Sequence, residues 1–165
     1  MKVIVALCIL FVNPFVAEAL EKPELHFDRR NWELGYQASQ GNQYLAEFVL
    51  KGETVENWSE LVSAQLFVGV QDEVSLGDFM AKTKEIIFQS CPDVAWNVIH
   101  QGDQDLMYEW KIASCPKMQD QHEIARMIKS KEGLHILHYA IKKPEMTPEK
   151  REEWIALLNA AQIIE

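Results

Sequence analysis

His122 followed directly by Glu123, with Asp120 two residues upstream, is the densest group of chemically capable side chains in this 165-residue sequence. An imidazole beside carboxylates can seat a metal or pass a proton. The spacing matches no zinc signature, which usually needs paired ligands at a fixed helical or knuckle separation. His135 and His138 are three residues apart. That interval brings two side chains together on a helix but sends them to opposite faces of a strand, and residues 134–141 read as a strand. They are not expected to share a metal. No serine lies in a G-x-S-x-G elbow, and no glycine-rich loop is spaced to cradle a phosphate. No catalytic residue, metal or cofactor is therefore assigned.

A wider constellation sets polar groups beside an aromatic: Glu53, Asn57 and Trp58 in one loop, Glu109 on a strand, and His122, Glu123 and Arg126 on the next segment. Gathered at one end of a sheet, these would line an amphipathic cleft able to take a peptide or the edge of another protein. The plainer alternative makes Trp58 a core anchor and Glu109–Arg126 an ion pair.

Positioning them requires a sheet. Trp32–Ala38 and Tyr44–Leu50, around the turn-rich Ser39–Asn42, read as a hairpin, and Leu61–Val68 alternates with period two. Ser75 caps a helix whose apolar stripe is Leu76, Phe79, Met80, Thr83, Ile86 and Ile87. A second hairpin spans Val94–His100 and Leu106–Ala113. Within it Leu106, Tyr108, Trp110 and Ile112 face one way, and Met107, Glu109 and Lys111 the other. Residues 119–130 fit both a helical stripe and a strand. The turn at Lys129–Gly133 favours a strand, completing a third hairpin with Leu134–Ile141. Thr147–Pro148 then starts a helix with Trp154, Leu157, Leu158 and Ala161 buried. Consecutive hairpins imply an α+β fold with a mainly antiparallel sheet and helices packed on it.

The first 19 residues carry a different signal. Lys2, the apolar run Val3–Val12, the break at Asn13–Pro14 and Ala17-Glu18-Ala19 form a cleavable leader, with cleavage expected after Ala19. Ten apolar residues are too few to span a bilayer. A single domain, residues 20–165, would remain, without stable membrane insertion. Lys2 and Glu18 of the leader cancel, so it keeps the net charge of −9, which disfavours nucleic acid and anionic membrane surfaces and favours solubility or a basic partner. Cys91 and Cys115, each followed by proline, are expected to form a disulfide, leaving no free thiol for catalysis after the leader and Cys8 are lost.

The stretch Gly52-Glu53-Thr54-Val55-Glu56-Asn57-Trp58-Ser59-Glu60-Leu61-Val62, with Cys91-Pro92 and Tyr108-Glu109-Trp110, resembles uncharacterised exported bacterial proteins. The element order is similar to the PsbP-like fold, shared by an extrinsic photosystem II subunit and a Ran-binding nuclear transport factor. That resemblance implies protein binding rather than catalysis, and carries over no site residue. The expected function is an exported, periplasmic or secreted, non-catalytic binding or accessory protein recognising a protein or peptide. The alternative is a small hydrolase or metal-dependent enzyme built on His122 and Glu123.

Overall fold

Alternation of apolar and polar side chains dominates the computed structural model, which describes residues 20–164; the expected leader lies outside the described residues. Seven antiparallel strands form one sheet. They are β2 (Trp32–Gln40), β3 (Gln43–Leu50), β4 (Glu60–Val68), β5 (Ala95–Gln101), β6 (Asp105–Ile112), β7 (Gln121–Lys129) and β8 (Gly133–Ile141), in the order β2-β3-β4-β8-β7-β6-β5. A separate two-stranded ribbon joins β1 (Lys22–Glu24) to β9 (Gln162–Ile164). The architecture is α+β with a mainly antiparallel sheet, and residues 119–130 resolve as strand.

Each hairpin turns where its chemistry allows. The β2–β3 turn is only Gly41–Asn42, and Gly41 takes φ +61°, a left-handed conformation favouring glycine. Gly133 answers a different demand. A Cβ there would lie 2.2 Å from the Phe67 carbonyl oxygen, so β8 can begin against β4 only without a side chain.

The two helices cover opposite faces. α1 (Leu76–Ser90), capped by the Ser75 hydroxyl accepting from the Asp78 N–H, lies on the face carrying Leu106, Tyr108, Trp110, Met127 and Ile136. α2 (Pro148–Ala160), capped by Thr147, covers Met107, Ile124, Leu137, Tyr139 and Ile141. Its anchor is Trp154, fully buried, stacked on Tyr139 at 3.8 Å between ring centroids and meeting Trp32 edge-on. Burying such a ring contributes roughly 2–3 kcal/mol from area alone.

Cys91, the C-cap of α1, is disulfide-bonded to Cys115 beyond the end of β6, with Cα atoms 5.8 Å apart. The bridge fastens the end of α1 to the strand it covers. Residues 20–30, charged and from sequence either extended or poorly ordered, are tied down in part by ion pairs. Arg30 donates to Asp28 and Glu60, and Glu60 also accepts from Lys150 and the Tyr139 hydroxyl. Among the described residues no helix is long and apolar enough to cross a membrane.

Candidate functional site

Glu109 is a carboxylate on the sheet face that α2 covers, where its neighbours along β6 are Met107 and Lys111. A charge so placed must be matched. Arg151, in the first turns of α2, donates through Nε to Oε2 at 2.6 Å and through Nη2 to Oε1 at 2.7 Å. Asn97 on β5 donates to Oε1 at 2.8 Å. Burial would raise the Glu109 carboxyl, but these bonds outweigh it and hold its pKa down at about 2.

His122 completes the group, since register pairs it with Lys111 one step along from Glu109. The Met146 backbone N–H donates to its Nδ1 at 2.9 Å. An N–H can only donate, so the ring proton sits on Nε2, which faces Glu109 Oε2 at 3.3 Å. Burial pushes the imidazole below its ordinary pKa despite the neighbouring carboxylate, and it is neutral at pH 7. Lys111 closes the rim by pairing with Glu145.

Around this floor lies a cleft of about 740 Å³, walled by Ala95 and Asn97 of β5 on one side and by Met146, Thr147, Pro148 and Glu152 on the other. It is open to solvent and bordered by β5, an edge strand of the sheet. The rings of Trp96 and Trp110 belong to the opposite face, packed in the α1-side core, where Trp96 stacks on Tyr108. The cleft is therefore polar and aliphatic.

The seven residues expected to converge do not all do so. Glu109 and His122 share the cleft. Glu123 follows His122 on a strand and so faces α1, where it accepts from Trp110 Nε1, Gln121 Nε2 and His138 Nδ1. A centre using His122 and Glu123 together is thereby corrected: alternation puts their side chains on opposite sides of the sheet. Asp120 is taken up by the Ser114 N–H. Among the described residues no three His, Cys, Asp or Glu side chains converge as a metal site. His135 and His138 do project to opposite faces, as their spacing requires.

Arg126 shares the face of Glu109 but pairs with Asp105, not Glu109. Its Nη1 donates to the carbonyls of Leu158, Asn159 and Ala161, satisfying the C-terminal end of α2. The loop trio stands apart as well. Glu53 accepts from the backbone and hydroxyl of Ser59, and the Asn57 N–H donates to Thr54. Trp58 is half-buried under the Lys142 ammonium, 4.5 Å from its ring centroid, and is not a core anchor. This loop shares a sheet end with His122, since the row Lys111–His122–Ile141–Glu60 runs across it, but β8 lies between the β4 strand it leads into and β7.

Asn97 and Arg151 were not among the expected residues. Arg151 had a legible signal: positions 151, 154, 158 and 161 form one helical stripe, so a cation begins the buried face of α2.

No curated protein is significantly similar to the chain. Residues 20–163 match the model of an uncharacterised protein family, a span holding the sheet, both helices and the whole cleft, and the chain belongs to that family.

Proposed function

We propose that this is an exported binding or accessory protein that recognises an extended segment of another protein through the cleft between β5 and the start of α2. One observation carries the reading: the floor of the cleft is a closed hydrogen-bond set. Glu109 is saturated by Arg151, Asn97 and His122, and both nitrogens of His122 are committed. Held rigid, such a floor suits recognition, where pre-organisation lowers the entropic cost of binding. Among the described residues β5 pairs only with β6, so its outer edge offers main-chain donors and acceptors to an added strand, and Glu152 at the rim, with Glu145 beside its partner Lys111, favours basic side chains.

Export to the periplasm or the medium is supported by the leader read from sequence and by the disulfide, which suits an oxidising compartment. The family match begins at residue 20, next to the expected cleavage point. A PsbP-like kinship remains part of this proposal and agrees with a binding role.

The test is capture by the purified protein from envelope and culture-medium fractions, compared with the Glu145→Lys/Glu152→Lys double variant. The proposal expects a partner whose retention falls at least tenfold with the reversed rim. A partner held equally by both proteins would contradict the cleft as its site.

A further inference from the structure

A second hollow lies on the α2-covered face beyond the reach of that helix. Across β3, β4 and β8 one register row is Ala46, Ala64 and Leu137, and the next is Tyr44, Leu66 and His135. Two alanines side by side leave a depression of about 500 Å³ between bulkier rows, and residues Leu20–Pro23 arch along its rim. That strap is fixed at both ends. Its β1 residues pair with β9, and the Glu21 N–H donates to the Glu132 carboxylate at 2.7 Å while the Glu132 N–H returns a bond to Glu21.

His135 lines this hollow with no exposed surface, and among the described residues neither ring nitrogen meets a hydrogen-bond partner. Buried polar side chains are nearly always paired, and an unpaired one costs free energy that an apolar residue of similar shape would not. Burial pushes the imidazole below its ordinary value, so it stands neutral, able to donate from one nitrogen and accept at the other. The nearby carboxylates of Glu21 and Glu132 act on it electrostatically. Their charge disfavours an anion, which excludes fatty-acid-like ligands.

We propose that this hollow is a second binding site, taking a small neutral apolar molecule whose single hydroxyl hydrogen-bonds to His135. A hydroxyl fits because it donates to a bare ring nitrogen or accepts from a protonated one. Alanines and leucines bury the hydrocarbon, and the volume is within the range of small-molecule pockets. The site is separate from the Glu109 cleft and stands whether or not that cleft binds protein.

The test is calorimetric titration of the purified protein with 2-naphthol, a neutral bicyclic phenol, against 2-naphthoate, its carboxylate analogue. Naphthol is expected to bind and to shift the His135 ring resonances, with naphthoate at least tenfold weaker. His135→Phe is expected to weaken naphthol about tenfold while raising the melting temperature, because an unpaired polar group is removed. Ala46→Leu, filling the hollow, should abolish binding, and His135→Gln, which retains a donor and an acceptor, should preserve it within a few-fold should the phenylalanine variant not fold. Absence of naphthol binding to the wild-type protein, equal binding by His135→Phe, or tighter binding of naphthoate would each overturn the proposal.

Discussion

Arg151 grips Glu109 with two parallel hydrogen bonds, 2.6 and 2.7 Å long, across the interface between α2 and the sheet. This fork is the joint that fixes the start of the helix over β6. It also removes from circulation the carboxylate that would otherwise be the cleft's natural base. A guanidinium does this better than an ammonium because its planar fork matches both carboxylate oxygens.

Arg151→Ala should therefore destabilise the protein by about 2–3 kcal/mol, leaving Glu109 half-matched by Asn97 and His122. Arg151→Lys should recover only part of the loss. Urea denaturation of the three proteins measures the order, and an alanine variant as stable as wild type would show the fork to be incidental.

Acid should undo the same group in two stages. His122 has a folded pKa below its unfolded one, so its contribution is whole above pH 6.5 or so and declines as pH falls through the folded value. Glu109 is likewise depressed, to about 2, so its share persists above the ordinary glutamate value and is lost between roughly pH 4.3 and 2. That second share is of the order of 3 kcal/mol. Denaturation across pH should show both declines, and Glu109→Gln should flatten the lower one.

Arg126→Ala should loosen the far end of α2, because three carbonyls and Asp105 lose their shared donor. The expected loss is about 2–4 kcal/mol. Hydrogen exchange should quicken first in α2 and β9. Uniform quickening across the sheet, without that bias, would speak against a capping role.

Reduction of Cys91–Cys115 should lower stability by roughly 3 kcal/mol, the chain-entropy value for a loop of this separation. The native sheet should survive, because the bridge lies at the end of α1 rather than between strands. Paired denaturation curves with and without reductant provide the check.

Much of the fold was legible because period-two alternation is a local property. The opposed faces of Tyr108 and Glu109, the Ser75 and Thr147 caps and the disulfide all follow from neighbouring residues. The ribbon of β1 and β9 was not legible, since three-residue strands at opposite ends of the chain carry no periodic pattern. Nor was the order of strands that brings β4 against β8. The site was half visible. Glu109 and His122 were found as polar groups close to aromatics in the sequence, whereas Glu123 was assigned to them by adjacency in sequence, which in a strand means separation in space. Arg126 and Arg151 show a further limit. Both are cations facing the same side, and only the packing of α2 decides that Arg151 meets Glu109 while Arg126 meets the end of the helix.

The most direct test of the cleft as a recognition surface is site-specific photo-crosslinking. A benzophenone amino acid would be placed at Glu152 on the cleft rim and, separately, at Gln40 on the opposite edge strand. The account predicts one discrete crosslinked partner from position 152, competed away by an excess of the unlabelled protein, and none from position 40. Crosslinks of equal yield from both positions, or from position 40 alone, would contradict it.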